Sequence, residues 1–404
     1  MPTPLCSPQH VLVLNCGSSS LKFAILDAAT SDEVISGLAE RLGSDTPSIK
    51  YKYNGEKQLI ELAKGQAHDA AIAELVKLVN ELGLADNLIA VGHRVVHGGE
   101  HFTESVLIDD DVLAAIEKTA ALAPLHNPAN LLGIRTAQQA FSALPQIAVF
   151  DTAFHQSMPN IAYLYALPYS LYKEHGVRRY GFHGTSHYYV AGEAAKLLGK
   201  EREQTNVISA HLGNGCSVCA IKDGKSVDTS MGLTPLEGLV MGTRSGSIDP
   251  GLFTFLTQQL NYSVQEIDDL LNKQSGLLGI SELSNDCRTI EEAAVEGHPQ
   301  ANLALDIFCY RLAKQIAAFL VPVQRLDALI FTGGIGENSD IIRDKVITQL
   351  GFLGLECDEA ANLAARFGKE GLISKGQAHA KAFVIPTNEE WVIANDAARI
   401  AKEG

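Results

Sequence analysis

The sequence lacks any apolar run long enough to span a bilayer, although 46% of its 404 residues are hydrophobic. Its first ten residues contain neither a basic start nor an apolar stretch, so they do not resemble a signal peptide. Together the two absences predict a cytoplasmic protein with no membrane partner. The length exceeds what one hydrophobic core usually supports, which predicts two domains.

Cysteine and positive charge are also scarce, and each shortage excludes a class of protein. The seven cysteines are odd in number and scattered, which argues against a disulfide framework. Cys216 and Cys219 have Cys-x-x-Cys spacing, but no second pair follows, which argues against a zinc site. The net charge of −15 disfavours nucleic acid or an anionic membrane surface as a partner.

Two segments with the same plan indicate a duplicated α/β fold. Residues 11–27 and 207–224 each read as a short apolar strand, a turn of small residues and a second apolar strand. Capping boxes are predicted where Ser263 precedes Glu266 and where Thr289 precedes Glu292. Further apolar and helical patterns predict strands at 146–150, 206–210 and 328–331 and helices at 111–121, 190–198, 263–271, 301–321 and 340–350.

Three turns of small residues follow predicted strands and favour nucleotide binding. They are Asn15-Cys-Gly-Ser-Ser-Ser20, His211-Leu-Gly-Asn-Gly215 and Thr332-Gly-Gly-Ile-Gly-Glu-Asn338. Backbone N–H groups can approach a phosphate in such turns, and the third turn leads into a predicted helix near Ser339. None is a P-loop, because the Walker A pattern does not occur. A single turn of this kind is often a plain connection, but three of them together favour a nucleotide.

Cations in glycine-rich segments and carboxylates at strand ends complete the candidate set. The arginine fork binds carboxylate or phosphate, and flanking glycines let a ligand approach, although any one of these arginines could form a structural ion pair instead. His183 and His187 have the spacing of a zinc helix, but Gly184 and the lack of a following Glu argue against it. Asp151 could instead be a helix cap, and Glu389 and Glu390 could be a solvated helix start. The set is Arg94, His97, His126, His183, His187, Arg244, Asp151, Glu389 and Glu390.

Several of these motifs together resemble the acetokinase family. The similar segments are residues 15–22, 181–187, 211–215, 333–338 and 386–390, so the resemblance spans nearly the whole chain. It implies an α/β fold of the acetate and sugar kinase/Hsp70/actin superfamily, with two ribonuclease-H-like domains of mixed β-sheet flanked by helices and a cleft between them. The implied domains are residues 1–152 plus about 388–404, and a C-terminal nucleotide-binding domain of residues 153–387. A homodimer is also implied.

The resemblance further implies Mg²⁺-dependent, reversible, in-line transfer of the ATP γ-phosphoryl group to acetate, giving acetyl phosphate and ADP. Asn15 and Glu389 would hold Mg²⁺, with Mn²⁺ as an alternative, mostly through water. ATP or ADP would be bound by Ser18, Ser20, Lys22, His211, Leu212, Gly213, Asn214, Gly215, Asp286, Cys287, Arg288, Gly334, Ile335, Gly336, Glu337 and Asn338.

The acceptor site is implied by the same resemblance. Arg94 would bind acetate, and the pocket for its methyl group would comprise Val96, Leu125, Phe182 and Pro235. An acetate carboxylate is already anionic, so the task is to stabilise charge on the transferred group rather than to remove a proton. Asp151 would therefore orient Arg94 or the metal. The implied catalytic residues are Arg94, His126, Asp151, His183 and Arg244.

Three other functions remain open at this point. A kinase that prefers propionate or butyrate is close, since one methylene is discriminated by only ~1–3 kcal/mol. A non-catalytic switch of the actin or Hsp70 kind would leave Arg94 and Arg244 without a purpose, and a sugar kinase would need Asp151 as a base. Cys16 and Cys216 stand where the family usually has Ala, and Cys16 predicts sensitivity to thiol reagents.

Overall fold

The computed structural model describes residues 8–124, 126–376 and 380–403, and the chain divides into two compact units. Unit 1 is Met1–Ala153 with Asn388–Gly404, and unit 2 is Phe154–Thr387. Each unit contains one mixed β-sheet with helices packed against it. Within the described ranges, no helix combines the length and the apolar character needed to cross a membrane.

Strands predominate in the first quarter of the described chain, and helices predominate after it. The strands are β1 His10–Cys16, β2 Leu21–Asp27, β3 Glu33–Glu40, β4 Ser48–Tyr53, β5 Glu56–Glu61, β6 Leu88–Val95, β7 Val106–Leu107, β8 Gln146–Phe150, β9 Val207–Leu212, β10 Cys216–Lys222, β11 Lys225–Thr229, β12 Ala328–Thr332, β13 Gly371–Leu372 and β14 Lys381–Val384. The helices are α1 His68–Glu81, α2 Asp110–Lys118, α3 Asn127–Ala140, α4 Asn160–Tyr163, α5 Tyr169–His175, α6 Gly184–Leu197, α7 Gly251–Leu260, α8 Val264–Lys273, α9 Gly276–Ser281, α10 Cys287–Val295, α11 Pro299–Val323, α12 Gly333–Asn338, α13 Asp340–Gln349, α14 Glu359–Ala364 and α15 Glu389–Glu403.

The sheet of unit 1 has the strand order β5-β4-β3-β2-β1-β6-β8-β7. β1 pairs antiparallel with β2 and parallel with β6, and β6 pairs parallel with β8. Successive side chains of a strand point to opposite faces, so Leu12 and Leu14 pack in the same core as Ile72 of α1. Val13 packs on the other face against Ile393 of α15. Burial on both faces explains why β1 is apolar without alternation.

The sheet of unit 2 repeats the plan of unit 1. Its order is β11-β10-β9-β12-β14-β13, in which β9 pairs antiparallel with β10 and parallel with β12. The five-strand stretches β3-β2-β1-β6-β8 and β11-β10-β9-β12-β14 therefore share three antiparallel strands followed by two parallel ones. The internal repeat predicted from the two hairpins is confirmed.

Most predicted elements lie within a few residues of the observed ones, but α6 begins six residues before the predicted 190–198. The additional first turn contains Gly184, Ser186 and His187, which have weak helix propensity. All three residues are buried; Ser186 forms a hydrogen bond with His211 of β9, and His187 forms one with Ser209 of the same strand. Tertiary bonds therefore extend this helix beyond its sequence pattern.

The two predicted capping boxes have different outcomes. At α8 both reciprocal hydrogen bonds of Ser263 and Glu266 are present, so this prediction is confirmed. The box at Thr289 is wrong, because α10 already begins at Cys287 and its cap is Asp286, which accepts from Arg288 N at 3.0 Å. Asp is a stronger N-cap than Thr, and the earlier cap places Thr289 inside the first turn.

Candidate active site

The β1–β2 turn, residues 15–20, is held in place by side chains from two helices. His68 of α1 bonds through Nε2 to Gly17 O at 2.8 Å, and Asn130 of α3 donates to Cys16 O at 2.8 Å. A Cβ on Gly17 would lie 2.8 Å from the Ser20 hydroxyl, so a larger residue would require Ser20 to move. The turn is therefore fixed in position before any ligand binds.

Asn130, which the sequence patterns do not single out, links this turn to the predicted methyl pocket. Its Nδ2 donates to Cys16 O, while its Oδ1 accepts from Val96 N at 3.1 Å. Val96 is buried, and His126, at the N-terminus of α3, is half-buried. Leu125, predicted for the same pocket, lies outside the described residues.

An arginine and a buried carboxylate form a two-pronged pair at the end of β6 and β8. Arg94 donates from Nε to Asp151 Oδ1 at 2.9 Å and from Nη2 to Asp151 Oδ2 at 2.5 Å. Asp151 is 1% exposed, and its carboxylate accepts from Arg94 rather than capping a helix. Arg94 lines a cavity of about 50 Å³ together with Asn15, Lys22 and Glu389.

Glu389 has the property that fits a divalent cation. Its Oε1 is buried and accepts no hydrogen bond from any described residue. The pKa of Glu389 is raised, and burial is the largest cause. The nearby Arg94 cation lowers this pKa, whereas the carboxylates of Asp151 and Glu390 raise it further. A buried carboxylate oxygen without a donor, in the same cavity as the Asn15 amide, suits Mg²⁺ that keeps much of its water. Among the described residues, no group of three or more His, Cys, Asp or Glu could hold a metal.

Lys22 and Glu390 form an ion pair at the same cavity. Lys22 is exposed on β2 between two buried residues, as its position in the hairpin predicts. Burial alone would raise the pKa of Glu390, but the adjacent lysine lowers it overall. Glu390 is thus no solvated helix start; it holds the ammonium group of a residue expected to bind ATP.

We expect Arg94→Ala to lower the free energy of unfolding by about 3–5 kcal/mol, because the change leaves the Asp151 carboxylate buried without its cation. Urea denaturation measures this loss. The control is Arg135→Ala, which removes an exposed ion pair with Glu117 and should cost less than about 1 kcal/mol. Equal losses for the two variants would contradict the dependence of Asp151 on Arg94.

Unit 2 contains a cavity of about 710 Å³, which is in the size range of cofactor sites. Its wall includes eight residues expected to bind ATP: Gly213, Asn214, Asp286, Cys287, Arg288, Gly334, Ile335 and Asn338. It also includes five that are not among the residues expected to bind ATP: Asn285, Glu291, Ser339, Arg366 and Phe367. The remaining expected residues of unit 2, His211, Leu212, Gly215, Gly336 and Glu337, are not part of this wall.

The predicted glycine-rich turn at residues 333–338 is the short helix α12 rather than a turn. Gly333 begins it at φ +77°, and a Cβ there would lie 2.8 Å from Leu212 O, so only glycine fits. The Glu337 carboxylate accepts from Gly333 N at 2.9 Å and from Thr387 N at 3.1 Å. Glu337 therefore joins α12 to the segment after β14, and it is not part of the cavity wall.

A buried arginine supports α12 from behind. Arg343 is 0% exposed and donates from Nη1 to Gly336 O at 2.9 Å. Its Nε and Nη2 donate to the side chain and the carbonyl of Asn362 at 2.7 and 2.6 Å. Burial lowers the pKa of Arg343 to about 10, and the group stays cationic at neutral pH.

Three of the wall residues that were not expected to bind ATP form contacts between distant segments. Glu291 accepts a hydrogen bond from Ser339, and burial raises its pKa while that bond opposes the rise. The Arg366 guanidinium lies 4.8 Å from the centre of the Phe367 ring and pairs with Asp340 at 3.2 Å. These pairs bring together α10, α13 and the segment after α14.

A second group of expected residues surrounds Gly215. A Cβ on Gly215 would lie 3.3 Å from Arg244 Nη1 and 3.6 Å from His183 Nε2. The His183 and His211 rings are stacked, with centroids 4.3 Å apart. His183 has φ +58°, a left-handed conformation that is uncommon outside glycine and concentrates at functional sites.

Arg244 is a half-buried cation that forms no ion pair within residues 8–124, 126–376 and 380–403. Its Nη1 donates to Pro235 O at 3.0 Å, and burial lowers its pKa. Phe182, the other expected pocket residue of unit 2, is buried, and its carbonyl oxygen is 3.0 Å from His155 Nε2. A guanidinium without a carboxylate partner is suited to an anionic ligand.

The two cysteines that depart from the family pattern are buried. Burial raises the pKa of Cys16 and of Cys216 to about 12, so both thiols are protonated at neutral pH. We therefore expect slow reaction of Cys16 with thiol reagents, contrary to the prediction from its position beside Asn15.

Comparison with known proteins gives a consistent family. Residues 10–395 match the Acetokinase family. The chain is 64% identical to an acetate kinase of Shewanella amazonensis over 395 residues, which is 97% of this chain and 99% of the relative. A crystal structure of a propionate kinase from Francisella tularensis has a TM-score of 0.93 at 48% identity, covering 97% of this chain and 100% of that one. The Porphyromonas gingivalis acetate kinase has a TM-score of 0.92 at 44% identity, covering 97% and 99%.

Proposed function

The chain belongs to the acetokinase family, and with this membership as the premise we propose that it reversibly transfers the γ-phosphoryl group of ATP to acetate. The predicted family, the phosphotransferase class with a carboxyl acceptor and the α/β fold with two mixed sheets flanked by helices are confirmed. Full-length similarity to acetate kinases disfavours the sugar kinase and the non-catalytic switch. We further propose that units 1 and 2 are the two domains.

The observation that carries the proposal is the pair of Arg94 and buried Asp151 beside Glu389. Asp151 engages Nε and Nη2 of Arg94, which leaves Nη1 without a partner in the described part of the chain. That free edge of the guanidinium can bind the acetate carboxylate. Both Asp151 oxygens accept from Arg94, so Asp151 would orient the arginine. Acetate is already an anion and offers no proton for Asp151 to remove as a base.

Asn15 and Glu389 would hold Mg²⁺, or Mn²⁺, through their side-chain oxygens. When bound, the cation would supply charge neutralisation to the nucleotide phosphates. Lys22, with its ammonium group held by Glu390, would bind phosphate oxygens, and Ser18 and Ser20 of the β1–β2 turn would assist.

The nucleotide would bind in the cavity of unit 2, with adenosine against Asp286–Arg288 and Gly334. Arg244 and His183 beside Gly215 would stabilise negative charge on the transferred phosphoryl group, since acetate is an anion and phosphoryl transfer spreads charge over the equatorial oxygens. His126 in unit 1 would assist them. The protein's task is thus positioning and charge stabilisation, with no proton to remove from the acceptor.

We propose acetate rather than propionate or butyrate as the preferred acceptor. The relative with 64% identity is named an acetate kinase, whereas the propionate kinase of Francisella tularensis is 48% identical. Val96 is buried and its backbone is fixed by Asn130, so it should crowd a longer chain. One methylene changes binding by only ~1–3 kcal/mol, so propionate should remain a slower substrate.

We also propose that the protein is a cytoplasmic homodimer. Helix α7 has no buried residue in the single chain, and its apolar side chains are exposed at Leu252, Phe253, Phe255 and Leu260. An apolar helix of this kind suits contact with a second copy. Light scattering should give twice the chain mass.

The experiment that tests the function uses protein, ATP and Mg²⁺ with acetate, propionate, butyrate or glycerol, and traps acyl phosphate with hydroxylamine. We expect hydroxamate with acetate, about 10-fold or more lower kcat/KM with propionate, and no trapped product with glycerol. Hydrolysis of ATP without hydroxamate would contradict the proposal, as would a higher kcat/KM for butyrate than for acetate.

A further inference from the structure

A chain of hydrogen bonds runs through buried side chains behind His183. The Ser209 Oγ atom lies 2.7 Å from His187 Nδ1, and His187 Nε2 lies 2.8 Å from Ser217 Oγ. The same Ser217 oxygen lies 2.9 Å from His183 Nδ1. Ser209, His187 and Ser217 are each 0% exposed. Of these four residues, only His183 belongs to the active site described above.

These hydrogen bonds can all point in one direction or all in the other, because each hydroxyl and each neutral imidazole has one proton to donate. A hydroxyl donates one hydrogen bond, and a neutral imidazole has one N–H and one bare nitrogen. If Ser217 donates to His183 Nδ1, it must accept from His187 Nε2–H, and Ser209 must donate to His187 Nδ1. His183 then carries its proton on Nε2. In the opposite polarity, His183 carries its proton on Nδ1 and presents a bare Nε2.

His187 behaves as a neutral link in this chain. Burial lowers its pKa well below the ordinary value, and His155 and His211 lower it further. The neighbouring ring shows the same arrangement: His211 Nδ1 lies 2.8 Å from Ser186 Oγ, which accepts from Thr387 Oγ1 at 2.8 Å. Since the Ser186 oxygen already accepts, its own proton is free to go to His211 Nδ1, which leaves the His211 proton on Nε2.

We propose that Ser209, His187 and Ser217 are positioning residues that hold His183 in the tautomer with its proton on Nε2. That nitrogen is the one beside Gly215 and Arg244, where the transferred phosphoryl group is placed under the proposed function on which this inference rests. Phosphoryl oxygens at neutral pH accept hydrogen bonds and do not donate them. A bare Nε2 would face their lone pairs, whereas Nε2–H donates to them.

The first test measures the tautomer directly in the unaltered protein. Long-range ¹⁵N–¹H correlations of protein with labelled histidine rings distinguish Nδ1–H from Nε2–H, and the His183 signals are identified by their loss in His183→Gln. We expect Nε2–H for His183 and for His187 at neutral pH. Detection of Nδ1–H on His183 would overturn the proposal whatever the activities of the variants.

The second test removes the shared hydroxyl or the link. Ser217→Ala and His187→Leu should each lower kcat by about tenfold, with KM for acetate and ATP changed by less than about twofold, since one oriented hydrogen bond is lost. His187→Gln keeps an amide donor near Ser217 and should restore kcat to within about threefold. Failure of Gln to restore more activity than Leu would contradict a positioning role.

The matched control is Ser226→Ala, which removes a buried hydroxyl 2.8 Å from His155 Nδ1 in the same unit. It should leave kcat within about twofold, because Ser226 takes part in none of the hydrogen bonds that link Ser209, His187, Ser217 and His183. The double variant Ser217→Ala with His187→Leu should be no slower than either single variant, since the two residues act in series. If the two losses multiplied to about a hundredfold, the residues would have independent packing effects, and the proposed action in series on His183 would be overturned.

Discussion

Arg244→Ala should lower kcat by about 10³-fold or more while the protein remains folded, as loss of a charge-stabilising arginine does in phosphoryl transfer. Arg244 is half-buried, has no carboxylate partner among the described residues and lies beside Gly215 and His183. Partial burial of this cation without a counter-ion costs free energy, and a bound anion would recover that cost. This favours a role for Arg244 in binding an anionic group. The rate of ADP formation at saturating acetate measures the loss.

The control for Arg244 is Arg311→Ala. Arg311 also donates to a carbonyl of unit 2, Ser247 O at 3.1 Å, but it is exposed. Its loss should change kcat by less than about twofold. Arg244→Lys should recover only part of the rate, since an ammonium group cannot form the planar two-pronged contact. A decrease of only a few-fold for Arg244→Ala, with an unchanged unfolding curve, would remove this residue from transition-state stabilisation.

Local sequence patterns are sufficient where a segment's neighbours along the chain determine its structure. They predict strand β8 at its observed bounds, because a compact apolar run is followed by a polar strand end. The β1–β2 hairpin follows from two apolar runs around a turn of small residues, and the Ser263 box from two residues three apart. In each case the deciding interactions span only a few residues.

Local patterns are insufficient where distant residues decide the outcome. Asn130 and Cys16 are 114 residues apart, and the bond between them has no trace in either local pattern. The early start of α6 depends on hydrogen bonds from its first turn to β9. Arg366 and Phe367 reach the cavity of unit 2 from a segment that carries no recognisable motif.

Because the two sheets share one plan, the ends of corresponding strands are enough to locate the polar residues of the candidate site. In each unit a strand pair β1–β2 or β9–β10 lies next to parallel strands, so its turn falls at the same edge as the ends of β6 and β8 or of β12 and β14. In unit 1 this edge carries Asn15, Arg94 and Asp151. The chemistry assigned to these positions still depends on side-chain pairs that only the structure shows.

Glu389→Gln should lower kcat/KM by about 10²–10³-fold, because the neutral amide is a far weaker ligand for Mg²⁺ and the phosphate charges lose neutralisation. The same change should raise the free energy of unfolding, measured without metal, by about 1 kcal/mol or more. The reason is that Glu389 Oε1 is buried and accepts no hydrogen bond within the described residues, so the native protein bears the cost of an unpaired carboxylate.

Glu390→Gln separates the role of Glu389 from a general loss of negative charge. Glu390 pairs with Lys22, so its replacement removes an attraction and should not stabilise the protein. The two adjacent variants are therefore expected to change stability in opposite directions, while Mn²⁺ titration followed by electron paramagnetic resonance in the presence of ADP should show weakened binding for Glu389→Gln. A destabilised Glu389→Gln that still binds Mn²⁺ normally would mean that Oε1 serves packing and not a cation. A stabilised variant that loses both metal and activity would identify Glu389 as a residue kept for function at the expense of stability.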